Sequence, residues 1–351
     1  LKILKTLLFV LVIVALPSLA FSADVIRYVN AGADAGGDGT TAALSSGDST
    51  HAYDSMSAWE SNENTNLVVA TNTMTAICAG STADTTKVIV AGWITSSTYD
   101  VTIKTDESDR HDGTWDTSKF RSNINASAHG TYNIQIATNH VTIEGLQINQ
   151  NSGPVWNGNI GILAQAMAAG SILTITDNII KSGDGNCQRG LYLNDSDTIF
   201  NVFNNIIYGF DTEGARTQDV SGFSLVHHNT LYNNVAGLHL NSEAPTVSNN
   251  ISVGNSGADY SSTTNATMSN NVDEDGTGEI TGTPTFEDVG AGTEDFHLAS
   301  GDTVAMGAGT DLTGTVDTDI DGDSRATTPD CGADEFVAGG TTFIPKIMWL
   351  N

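Results

Sequence analysis

The chain has 351 residues, with 13 Lys plus Arg against 41 Asp plus Glu and a formal net charge of −28. A chain this acidic, with no large Lys and Arg cluster, is not built to neutralise phosphates, so nucleic acid is not expected as a partner. Three cysteines, Cys78, Cys187 and Cys331, are odd in number and widely spaced, which specifies no disulfide framework and no zinc site; at most one disulfide is expected.

Residues 1–22 read as a secretory signal peptide. Lys2 and Lys5 precede an apolar run over 7–16, and small residues follow in Pro17-Ser18-Leu19-Ala20-Phe21-Ser22-Ala23. The run is about ten residues long against the roughly twenty that a membrane span needs. The mature chain is therefore expected to have no span and to be secreted, periplasmic or at the cell surface. Asp54 is the expected cap of a short helix over 55–60, in which Met56 and Trp59 share a face with Tyr53. Cys78, inside Thr75-Ala76-Ile77-Cys78-Ala79, reads as a small buried residue. Residues 110–121 concentrate cationic and aromatic side chains and read as a surface loop flanking a sheet face.

From residue 131 onward a cadence sets in. Asp177-Asn178-Ile179-Ile180, Asn204-Asn205-Ile206-Ile207, His228-Asn229-Thr230-Leu231, Asn249-Asn250-Ile251-Ser252 and Asn270-Asn271-Val272-Asp273 place an Asn at 178, 205, 229, 250 and 271. Steps of 21 to 27 residues mark a repeat architecture. Between these segments lie short alternating runs that open on Gly161, Gly190, Gly214, Gly237 and Gly257 and read as strands. No amphipathic helix intervenes to build crossovers, so the units are expected to coil and stack. The Asn suits a left-handed turn and a ladder of stacked amides, with the next Ile, Thr or Val pointing into the coil.

The Asn-Asn-Ile repeats, the strand runs from Val141 to Ile148 and from Ser171 to Ile180, and the expected leader resemble the right-handed parallel β-helix proteins of the pectate-lyase-like superfamily. That resemblance implies an all-β, single-domain solenoid. Tyr28-Val29-Asn30 followed by Gly36-Gly37-Asp38-Gly39 resembles its first strand and turn, and the short helix its N-terminal cap. Asp321-Gly322-Asp323-Ser324-Arg325 followed by Gly332-Ala333-Asp334-Glu335 resembles its closing segment, with Arg325 expected to pair with Asp330, Asp334 or Glu335. The organisation is then leader 1–22, N-terminal cap and first coils 23–130, core 131–285, acidic C-terminal cap 286–336 and apolar tail 337–351, read as a docking segment.

Aligning the Gly-led strands puts Ile162, Leu191, Ala215, Leu238 and Ala258 inside. The first outward row is Leu163, Tyr192, Arg216, His239 and Asp259, and the next is Gln165, Asn194, Gln218, Asn241 and Ser261. Tyr192, Asn194, Arg216, Gln218, His239 and Asn241 are the expected substrate-binding residues, because rings stack on sugar C–H faces and amides pair with hydroxyls. For uronate β-elimination, Arg216 or His239 is the candidate base, with Asp195, Asp219 or Glu243 as cation ligands. Asn194-Asp195-Ser196-Asp197 resembles the Asn-x-Asp segment of polygalacturonases, but their other motifs are absent, so that activity does not carry over. His227-His228 reads as part of a turn. Asp317, Asp319, Asp321 and Asp323, at alternate positions around Gly322, form a candidate calcium loop without the twelfth-position Glu of an EF-hand. The leading functional reading is a protein that binds extracellular glycan on this sheet face; whether it also cleaves the polymer, as a lyase or a glycoside hydrolase, is left open by the sequence. The alternative is a noncatalytic structural or adhesive protein of the surface or phage receptor-binding kind.

Overall fold

The computed structural model describes residues 23–45, 47–126, 128, 130–152, 158–195, 198–218, 224–241 and 244–338. The expected leader, Ser196, Asp197, Asp219, Glu243 and the tail beyond residue 338 lie outside them. Among the described residues the coil strands form three parallel sheets of nine, eight and seven strands, each central coil contributing one strand to each sheet, and Phe286–Asp288 and Asp295–Leu298 form a separate antiparallel pair. One coil runs Ile172–Thr176, Ile179–Ser182 and Arg189–Asn194, and the next runs Ile199–Phe203, Ile206–Tyr208 and Glu213–Gln218. This is the right-handed parallel β-helix that the repeats imply.

The interior is a stack of like on like. Ile143, Ile175, Val202, Val226 and Val247 follow one another in register through the nine-stranded sheet, all buried. Burying each aliphatic side chain contributes roughly 1.5–3 kcal/mol, and in-register stacking makes every coil a template for the next. The helix Met56–Glu63 sends Met56 and Trp59 into this core, with Trp59 stacked on Trp93 at 5.6 Å. Its cap is Ser55, which accepts from the Ala58 amide, rather than Asp54.

The Asn cadence divides its work between two neighbours. The first residue of each pair, Asp177, Asn204, His228, Asn249 or Asn270, holds the left-handed turn, with φ of 53 to 59°. The second points inside and builds the ladder. Asn178 Nδ2 donates to Asn205 Oδ1 at 2.9 Å, Asn205 to Asn229 at 3.0 Å, Asn229 to Asn250 at 2.9 Å and Asn250 to Asn271 at 2.9 Å. Asn271 donates at 2.9 Å to Glu279, whose carboxylate ends the chain of amides. Because the Asn faces in, alternation sends the next residue out. Ile179, Ile206, Ile251 and Val272 therefore face away from the main core, and Ile180, Ile207 and Leu231 fill it, one position later than the sequence reading placed them.

That outward apolar row needs a cover, and the segment expected as a C-terminal cap supplies it. Phe296, Ile320 and Ala333 pack on Ile179, Ile206 and Tyr208, while Leu298, Ala305 and Cys331 pack on Ile251, Val253 and Val272. The segment thus lies along the flank of the coil. Arg325 fastens it there, pairing with Glu335 at 3.4 Å as expected and donating to Asn204 Oδ1 at 2.9 Å. Residues 110–121 join the same flank: Arg110 donates to Ile320 O at 2.9 Å, Thr114 bridges to Asp295, and Lys181 sits 4.2 Å over the Trp115 ring. All three cysteines are buried and free.

Candidate functional site

On the seven-stranded sheet the outward row forms as the alternation requires. Leu163, Tyr192, Arg216 and His239 are successive cross-strand neighbours, as are Gln165, Asn194, Gln218 and Asn241. The last rung departs from the expectation by two residues. Tyr260, not Ala258, faces inward beside Leu238, and Ser261, not Asp259, adjoins His239. A large ring fills the core at this end better than a methyl group, so the turn before it lengthens and the strand starts later.

The sequence reading missed the centre of the row. Arg189 and Glu213 are cross-strand partners at the start of their strands, and Glu213 joins two cations. Arg189 Nε donates to its Oε2 at 2.5 Å and Arg216 Nη1 to its Oε1 at 3.2 Å. Both guanidinium groups approach the Tyr192 ring, at 4.7 and 5.9 Å from its centroid, and the Tyr192 hydroxyl donates to Gln218 Oε1 at 2.9 Å. The miss has a physical cause. Gly190 and Leu191 are both buried, which breaks the alternation and returns Arg189 to the outer face. An added Cβ at Gly190 would meet Ile207 Cγ2 and lie 2.6 Å from Gly214 O, so only glycine lets the strand approach this closely. A charged residue directly before the glycine in Gln188-Arg189-Gly190 and Thr212-Glu213-Gly214 was the available signal.

These contacts define the chemistry of the row. Arg216 pairs with Glu213, and a guanidinium presents N–H donors and no acceptor. Its Nε is buried without a hydrogen-bond partner. His239 contacts Ser261 Oγ through Nδ1 at 2.9 Å; burial, with the neighbouring Arg216 charge, holds its pKa below the usual imidazole range. It is therefore neutral near pH 7. Asp195 is committed to a turn, accepting from the Met167 amide and the Thr198 hydroxyl, both at 2.8 Å. The 110–121 loop does not wall this face, since it packs on the opposite flank.

The four aspartates of the expected calcium loop do not converge, which corrects that expectation. Asp317 accepts from the Gly314 amide. Asp319 is buried and turned into the loop, accepting from the amides of Asp321, Asp323 and Glu335 at 2.8 to 3.0 Å. Burial, then the Asp321 charge, raises its pKa to about 7. Alternation in sequence does not direct side chains to one point when the backbone is a turn. Asp321 and Asp323 instead line a cavity of about 400 Å³ with Asp295, His297 and Asp334. His297, Asp321 and Asp334 each place a ligand-type atom within 4.8 Å of the others. The ring is bonded at both nitrogens, however: Nδ1 to Asp295 at 2.5 Å and Nε2 to Asp321 at 2.9 Å. Burial alone would lower its pKa, but the bonds to Asp295 and Asp321 outweigh burial and raise it to about 11. The imidazolium itself balances the acids here, and neither nitrogen is left to ligate calcium, which in any case takes oxygen donors.

No helix among the described residues is long and apolar enough to cross a membrane. No protein-family model matches the sequence, and no curated protein matches it. Among solved structures, the chain is similar to the crystal structure of pectate lyase Pel9A, at 13% identity and a TM-score of 0.38, over 90% of this chain and 96% of that one. The assignment as a right-handed parallel β-helix rests on the three stacked parallel sheets.

Proposed function

We propose that this protein works outside the cytoplasm and binds polysaccharide on the outer face of the seven-stranded sheet, through Tyr192, Asn194, Arg216, Gln218, His239 and Asn241. The observation that carries the reading is the Arg189–Glu213–Arg216 chain of charges beside Tyr192. It fixes one aromatic ring and two guanidinium groups next to a row of amides, in register along several coils. Such a row matches the repeat of a polymer: amides and guanidinium groups donate to hydroxyls, and the ring stacks on sugar C–H faces.

Binding is favoured over cleavage. Hydrolysis uses two carboxyl groups about 5–10 Å apart across the scissile bond, and in this row the described residues provide Glu213, already shared by two arginines. Elimination needs a free base beside a charge-stabilising cation; Arg216 is paired with Glu213, and the neutral ring of His239 has both nitrogens on the hydroxyls of Ser261 and Ser262, at 2.9 and 3.4 Å. A glycan array containing neutral and uronate-bearing polymers tests the proposal. Binding should weaken about tenfold or more in Arg216→Ala and Tyr192→Ala, with neither unsaturated products nor new reducing ends released. An array without any hit, or hits that both variants keep at full strength, would refute it.

A further inference from the structure

A second group of acids lies at the opposite end of the coil from the capping helix and has no cation beside it. Asp259 and Asp273 are buried, at 2% and 0% exposure, and Asp275, in the exposed turn after Val272–Asp273, meets them. Each offers a carboxylate oxygen, and the three atoms lie within 4.8 Å of one another. Calcium–oxygen bonds of about 2.3–2.6 Å put ligands on opposite sides of the ion up to about 5 Å apart, so the spacing suits one ion.

The hydrogen bonds hold the three carboxyl groups in place, and those to Asp259 and Asp275 favour the ionised form. Asp259 accepts from Asn255 Nδ2 at 2.7 Å and from the Glu274 amide at 2.7 Å. Asp275 accepts from the Asp259 amide at 3.1 Å, the Thr277 amide at 3.1 Å and the Thr277 hydroxyl at 2.5 Å. Asp273 Oδ2 accepts from the Gly278 amide at 3.0 Å. Asp273 Oδ1 is buried and has no partner. Among the described residues no Lys, Arg or His pairs with any of the three. Three carboxyl groups at this distance repel one another when ionised, burial raises the pKa of Asp259, and the buried Asp273 oxygen gains no hydrogen bond to offset its loss of water; a cation among them relieves all three. A single shared proton relieves one pair and leaves the third.

We propose that Asp259, Asp273 and Asp275 form a site for a hard divalent cation of the calcium type, which clamps the last coils together. An all-oxygen set excludes a preference for soft metals, and solvent at Asp275 leaves room for the water ligands that calcium keeps. Asp259 precedes the final strand of the seven-stranded sheet, whereas Asp273 closes a strand one coil further on. An ion between them would tie two successive coils where the stack has few neighbours left to template it.

The test is a thermal melt of the purified full chain after EDTA treatment, with and without added Ca²⁺, together with titration by Tb³⁺, whose luminescence Tyr260 beside Asp259 should sensitise. Expected are a saturable rise in melting temperature and a Tb³⁺ signal that Ca²⁺ displaces. Asp273→Asn should abolish both, Asp275→Asn should weaken Ca²⁺ binding about tenfold or more, and Asp321→Asn in the His297 cavity should leave both intact. Asp275 is exposed, so its variant decides the matter if Asp273→Asn fails to fold. The proposal is overturned if the wild type shows neither response, if Asp275→Asn binds Ca²⁺ as tightly as the wild type, or if Asp321→Asn alone removes the signal. Higher stability of Asp273→Asn with no Ca²⁺ response in the wild type would also overturn it, and would indicate a shared proton.

Discussion

Replacing His297 with Gln removes the positive ring between Asp295 and Asp321 while keeping an amide of similar reach. The ring is bonded to both carboxylates, and the side chains of His297 and Asp321 are only 16% and 11% exposed. Its pKa of about 11 against 6.5 corresponds to a preference of about 6 kcal/mol for the charged ring, at about 1.36 kcal/mol per pH unit. That figure is a ceiling, because water can enter the cavity and solvate the acids once the ring is gone. Removing one member of a buried pair typically costs about 3–5 kcal/mol, so the variant should be about 3 kcal/mol less stable to urea at pH 6. The pH dependence follows from the sign of the shift. A base with a raised folded pKa contributes its full stability below the unfolded value of 6.5 and loses it as the pH rises through about 11. Urea curves of both proteins from pH 6 to 10.5 should therefore show a gap that narrows with rising pH. A gap that stays constant over that range, or its absence at pH 6, would refute the imidazolium bridge.

Asn229→Ala should cost about 2–4 kcal/mol, since it strips the acceptor from the Asn205 amide and side chain inside the ladder; a loss below 1 kcal/mol in urea denaturation would mean the ladder is incidental. Gly190→Ala should destabilise by about 1–3 kcal/mol through overpacking against Ile207 and Gly214, read as a lower melting temperature, and should also displace Arg189 and weaken glycan binding. Burial, with the Arg110 charge, lowers the His111 pKa to about 3. Folding therefore keeps that ring neutral, and stability is lost as the pH falls from 6.5 towards 3. His111→Gln should flatten this acid limb, and an unchanged slope would show that His111 does not govern it.

The coil was legible because its cause is local and repeated: an Asn that must face inward at every turn sets the period, and the alternation that follows fixes Tyr192, Arg216 and His239 in one row. Legibility failed wherever a residue's direction depends on something remote. Ile179 and Ile206 look like core and are core, but of a second layer that forms only when residues 296–333 fold back along the flank. Arg189 and Glu213 were hidden by one buried glycine that shifts the alternation. Asp319 looks like its neighbours in sequence, yet the turn aims its carboxylate at three backbone amides. Trp115 and Arg110 were recognisable as a cluster, but their partners, Lys181 and Ile320, come from distant segments.

Part of the net charge of −28 also acquires a structural cause. Asp38, Asp48, Asp84, Asp106, Asp112, Asp116, Asp275 and Asp311 each bind the hydroxyl, and the amide, of a Thr or Ser two residues on. A coil needs a turn at every corner, and a carboxylate that folds back on its own backbone is one way to make it. These bonds favour the charged acid: hydrogen bonds from Thr40, Ser118 and Thr313 lower the pKa of Asp38, Asp116 and Asp311. These eight of the 41 acidic residues thus follow from how the corners are built and say little about a ligand. Two places depart from that rule, and they are where function is proposed. On the seven-stranded sheet, Arg189 and Arg216 outnumber Glu213 and leave a locally positive face within an acidic surround, which screens less when salt is low. At the last coils, Asp273 has an oxygen that no backbone donor reaches, and the field of the other acids concentrates cations around it.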